Sequence, residues 1–164
     1  MKELAIQITT DPEHKFDLAL ALDDLDAATD IARTVPKHEA EHKWKSIGDR
    51  ALAVWRFELA KEAFERANDL SALLLLLLSV GDREGLKELA EKTIEKGQNN
   101  LAFATLLQLG DANACVDLLV KTQRQPEAAL FARTYAPRLA IFTLRCYFCT
   151  RRLILDRTAR YQKQ

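Results

Sequence analysis

Apolar residues recur along this chain at the spacing of one helix face, in block after block. Phe16, Ala19 and Leu20 follow Asp11-Pro12, a start signal in which Asp caps the helix and Pro occupies its first position. Asp24-Leu25-Asp26 reads as a short turn, with Asp26 capping a helix through Ala28, Ile31 and Ala32 to Val35, ended by Pro36. The next helix is predicted from about Lys37 to Val54, with Ala40, Trp44, Ile47, Ala51 and Val54 on its core face. Further stripes are Phe57, Ala60, Phe64 and Ala67, then Leu86, Leu89, Ala90 and Ile94. Ala112, Cys115, Val116 and Leu119 follow, then Ala128, Phe131, Ala132 and Tyr135. Trp44 and Trp55 both fall at positions expected to pack in the core.

The punctuation between stripes repeats. Val80-Gly81-Asp82 and Leu109-Gly110-Asp111 each offer a Gly able to end one helix in the left-handed conformation and an Asp able to cap the next. Each is followed by a stripe that ends in Lys-Thr, at Lys92-Thr93 and Lys121-Thr122. Such short loops force consecutive helices antiparallel. Hairpins are predicted at about 12–35, 38–67, 69–96 and 99–122, with another starting at 125. The fold expected is all-α, an α-solenoid of stacked antiparallel helical hairpins, resembling a tetratricopeptide array but with an irregular repeat. A compact bundle is the competing architecture.

Composition agrees with helices. Leu and Ala dominate, aromatics are 7%, and only five Gly and four Pro occur, which disfavours a β-sandwich or barrel. The most apolar run, Leu70 to Val80, is bounded by Asp69 and Gly81-Asp82 and falls well short of the about 20 residues a membrane span needs. It is expected to be a helix buried on nearly all sides. The Met1-Lys2-Glu3-Leu4-Ala5 start carries no apolar stretch long enough for a signal peptide.

The 24 basic and 24 acidic residues balance, which argues against a protein that lives on phosphate contacts, so nucleic acid is not an expected partner. The balance conceals an asymmetry. Residues 1–137 hold 17 basic and 23 acidic side chains, whereas 138–164 hold seven basic ones and only Asp156. Two of the three cysteines, Cys146 and Cys149, also lie in that last stretch. We therefore divide the chain into a helical region, 1–137, and a basic, Cys-containing tail, 138–164, expected to dock weakly beyond about residue 140. Three Cys do not make a disulfide scaffold and suit a reducing compartment.

Chemistry-bearing motifs are few. His38-Glu39-Ala40-Glu41-His42 has the spacing by which zinc peptidases place two imidazoles one helical turn apart with a Glu beside the bound water. It lies among Lys37, Lys43 and Lys45, and no further His follows as a third ligand, so it reads as a charged first helical turn. Cys146-Tyr147-Phe148-Cys149 has no second ligand pair after it. Asp23, Asp24 and Asp26 lack the distal Glu of a calcium loop and read as turn and cap chemistry. Cys115 reads as a small buried hydrophobe. No phosphate-binding Gly loop or nucleophile elbow occurs. No catalytic, cofactor-binding or metal residue is assigned, and the chain is not expected to be an enzyme.

Five stretches resemble the α-solenoid of the coatomer beta-prime family of the COPI vesicle coat. They are Thr10-Asp11-Pro12-Glu13-His14-Lys15-Phe16-Asp17-Leu18-Ala19-Leu20, Lys43-Trp44-Lys45, Leu74-Leu75-Leu76-Leu77, Asn99-Asn100-Leu101-Ala102-Phe103, and Glu127-Ala128-Ala129-Leu130-Phe131-Ala132-Arg133-Thr134-Tyr135-Ala136-Pro137. Their order and spacing extend the resemblance over about 4–137; Arg138 to Gln164 lies outside it. The resemblance implies a structural scaffold for subunit interaction in Golgi-to-ER and intra-Golgi transport. It implies pairing with the coatomer alpha subunit and other coatomer subunits, in the cytoplasm, at Golgi membranes and coated vesicles, with membrane reached only through the assembled coat. In that family two β-propellers ahead of the solenoid read sorting signals on cargo; none precedes Met1, so cargo reading is not expected of this chain. An unrelated helical-repeat adaptor for peptides is the alternative. Leu4, Ile6 and Ile8 at one end, and Phe131 and Tyr135 at the other, are expected to be uncovered apolar surface.

Overall fold

The computed structural model describes residues 9–139, apart from the side chains of Lys37 and His38. Every regular element among the described residues is a helix, and no strand occurs there. In chain order these are α1 (Pro12–Ala21), α2 (Leu25–Thr34), α3 (Lys37–Ala53), α4 (Phe57–Arg66), α5 (Leu70–Val80), α6 (Arg83–Glu95), α7 (Asn99–Leu109), α8 (Ala112–Lys121) and α9 (Gln125–Tyr135). Linkers of two or three residues join them, and within each compact unit they are too short for anything but reversal of direction. The architecture is the predicted all-α helical repeat. Two compact units divide between Gly81 and Asp82.

One turn geometry closes most of these helices. Asp23, Trp55, Asn68, Gly81, Gly97, Gly110 and Gln123 all have positive φ, from 56° to 80°. After six of them, the next backbone N–H reaches back to a carbonyl in the last turn of the helix just ended. Asp24 N donates to Ala19 O at 3.0 Å, Arg56 N to Ala51 O at 2.9 Å and Asp69 N to Phe64 O at 3.1 Å. Gln98 N to Thr93 O at 2.9 Å, Asp111 N to Leu106 O at 3.2 Å and Arg124 N to Leu119 O at 2.9 Å repeat it. This is the Schellman arrangement, and the donating residue is at once the N-cap of the following helix. The left-handed residue recurs every thirteen positions, from 55 to 68 to 81 and again from 97 to 110 to 123. Between 81 and 97 the interval is three longer, because α6 runs to 13 residues. The 29-residue spacing of the two Gly-Asp pairs is therefore one 16-residue and one 13-residue interval, divided at Gly97.

Where an Asp stands at the cap, its carboxylate takes a first-turn N–H. Asp11 accepts from Glu13 N at 3.1 Å, Asp69 from Ala72 N at 3.1 Å, Asp82 from Gly85 N at 2.9 Å and Asp111 from Ala114 N at 3.0 Å. Asp24, not Asp26, caps α2, accepting from Ala27 N at 3.2 Å. The left-handed Asp23 stands just before that cap.

In the first unit, Phe16 and Ala19 of α1, Ala28 and Ala32 of α2, Ala40, Trp44 and Ile47 of α3, and Ala63 of α4 form one buried cluster. Alanine at these crossings lets the helix axes approach, and Gly48 lets α3 meet the Phe64 ring of α4. A Cβ built at Gly48 would lie 2.6 Å from that ring. In the second unit, Ala90, Ala102, Leu106, Cys115 and Leu118 form a cluster, edged by Phe103 and Phe131, whose rings meet edge to face at 5.3 Å. Val116, Ala132 and Ala136 form another, with Leu139 packed on it, so the packed unit extends at least to Leu139.

Four positions expected to pack in the core are exposed. Trp55 is 78% exposed, because it is the left-handed turn residue and not a helical one. Val54 and Phe57 flank that turn and are also exposed. Ile94 is exposed while Thr93 takes the buried site, its hydroxyl bonded to Ala90 O at 2.8 Å. Of the two aromatic residues expected to be uncovered, Tyr135 is exposed and stacks on Phe131 at 4.7 Å, whereas Phe131 is half-buried against the Ala90 cluster. The Leu-rich α5 buries Leu70, Leu73, Leu74, Leu76 and Leu77 but leaves Ser71, Leu75 and Ser79, one helical stripe, in solvent.

Candidate functional site

The polar side chains tie helices together across the cores. Glu13 of α1 pairs with Lys43 of α3, whose side chain is 7% exposed and whose ammonium lies 5.4 Å from the Phe16 ring centroid. Asp23 pairs with Arg50, and Asp26 with Arg56 at 3.2 Å. Glu62 of α4 holds Arg66 at 2.7 Å and Arg33 of α2 at 3.9 Å, while the Arg66 guanidinium lies 4.6 Å from the Trp44 ring centroid. The acidic α1–α2 hairpin is thus clamped by cations from α3 and from the turn after it. Lys45 of α3 reaches Asp69, the cap of α5, at 2.8 Å. The hydrogen bond and charge of Asp69 raise the Lys45 pKa. The hydrogen bond from Lys45 leads in lowering the Asp69 carboxyl, with partial burial opposing it and the Ala72 N–H assisting. Most of these pairs are exposed and contribute little each. Their effect is to fix which helix lies beside which.

The motifs singled out in the sequence remain scattered. Residues 38–42 form the opening turns of α3, with Ala40 buried, Glu39, Glu41 and His42 exposed, and the His38 side chain outside the described residues. Asp23, Asp24 and Asp26 are divided between two ion pairs and a helix cap. Cys115 is buried, its Sγ 3.9 Å from Phe103 O, and burial pushes its thiol up to about 11, with Asp111 adding to the effect. A neutral, enclosed thiol of this kind is inert. Cys146 and Cys149 lie outside the described residues. Among the described residues no three His, Cys, Asp or Glu side chains gather as a metal-ligand set, and no helix is long and apolar enough to cross a membrane.

Sequence reasoning missed one polar groove. The start of α7 and the α8–α9 linker border an open groove of about 590 Å³, lined by Gly97, Gln98, Asn99, Asn100, Leu101, Thr122 and Arg124. Arg124 spans it, donating to Asn100 Oδ1 at 3.0 Å and pairing with Glu127. The signal was present in the Gly97-Gln98-Asn99-Asn100 turn, which breaks the helical pattern as Gly81-Asp82 does. Elsewhere the surface offers apolar side chains: Trp55 against Phe57, then Leu75, Leu130 and Tyr135. The arrangement suits packing and association between macromolecules.

Comparison with known proteins agrees with this architecture. The chain is similar to coatomer subunit beta'-3 of Arabidopsis thaliana, 47% identical over 137 residues, which is 84% of this chain. It is similar to coatomer subunit beta' of Drosophila melanogaster, 42% identical, and of Rattus norvegicus, 41% identical, each over 83% of this chain. The chain spans about 15% of the length of each of these relatives. The family model described as the COPA/B TPR domain matches residues 1–145. With that match covering most of the sequence and the helical repeat it describes laid out above, the chain belongs to the COPA/B TPR domain family.

Proposed function

We propose that this chain is a structural module of the COPI vesicle coat, a helical scaffold for subunit interaction in Golgi-to-ER and intra-Golgi transport, with no catalytic role of its own. The observation that carries this is the 47% identity to a coatomer beta' subunit across 137 residues, over a fold whose polar groups serve helix caps and inter-helix pairs. The expected partners are the coatomer alpha subunit first and other coatomer subunits through it, with no nucleic acid. The chain works on the cytosolic face of Golgi membranes and coated vesicles, held there by the assembled coat. The helical region supplies this scaffold, with packing that reaches Leu139, and the basic tail follows it.

The mechanism is mechanical. Within each compact unit the helices bury their apolar stripes on one another, and the shared turn makes one helix's end the next helix's cap. Affinity capture tests the proposal. Tagged chain added to cytosol should retain coatomer subunits, the alpha subunit foremost. Capture no stronger than with a tag-only control would overturn it.

A further inference from the structure

We draw no further inference here: the strongest candidate, the polar groove where the N-terminus of α7 and the α8–α9 linker meet beside Arg124, rests on a helix N-terminus whose guanidinium is already held by Asn100 and Glu127, with no buried unpartnered group to point to a ligand.

Discussion

At Gly48 the absence of a side chain decides how closely two helices pack. The Phe64 ring occupies the space a methyl would need, with three ring carbons within 2.9 Å of the built Cβ. Alanine gains about 1 kcal/mol of helix propensity over glycine, but overpacking a core costs about 1–3 kcal/mol. Packing prevails because Phe64 is fully buried and has no free direction to turn. Gly48→Ala should therefore lower the unfolding free energy by about 1–2 kcal/mol in urea titration. The double variant with Phe64→Leu should lie above the sum of the two single losses. A Gly48→Ala protein as stable as the parent would show that α3 and α4 are less closely packed than described. None of this was legible in the sequence, where Gly48 is one more residue in a helical window and its partner lies sixteen positions away.

The turns are the element whose logic the sequence revealed in part. Gly81 and Gly110 were readable because glycine beside a capping Asp advertises a left-handed turn. Trp55 and Gln123 occupy the same conformation with φ of 61° and were unreadable, since nothing in Trp or Gln signals it. Trp55 was consequently assigned to the core. A left-handed L-residue costs roughly 1–2 kcal/mol, and an indole left mostly in water recovers little of that beyond its edge contact with Phe57. Trp55→Gly should stabilise the chain by about 0.5–1 kcal/mol, whereas Gly110→Ala should destabilise it by about 1 kcal/mol. Paired thermal melts check both, and the same sign for the two would contradict the shared turn.

The cap of α5 carries a pH dependence. Asp69 has its pKa below the ordinary 3.8, so its contribution is present above that value and is lost as pH falls through the lower folded value. Lys45 has its pKa above 10.5, so its contribution holds below 10.5 and is lost as pH rises through the higher one. Asp69→Asn keeps a capping oxygen and removes the charge. Its melting temperature should fall less than the parent's on acidification below about pH 4. Parallel profiles would exclude the pair as a source of acid sensitivity.

At the scale of the molecule, the apolar side chains left in solvent set the expected behaviour. Leu75, Leu130 and Tyr135 are each more than half exposed, and Trp55 more so. Where such side chains join into a contiguous patch, they mark partner contact or self-association. The fold class was legible from stripes and breaks, because helical period and Gly-Asp punctuation are local signals. The ion pairs that choose neighbours, Glu13 with Lys43 or Lys45 with Asp69, were not, because each joins residues more than twenty positions apart. The family resemblance over about 4–137 adds what periodicity could not, the proposal that this scaffold serves association between subunits. The most direct test of that claim is size-exclusion chromatography with light scattering on the chain alone and co-expressed with the solenoid of the coatomer alpha subunit. Alone, it should show a mass that rises with concentration; with the alpha subunit, it should elute as a soluble complex of defined stoichiometry. A chain that stays monomeric and elutes apart from the alpha subunit would contradict the account.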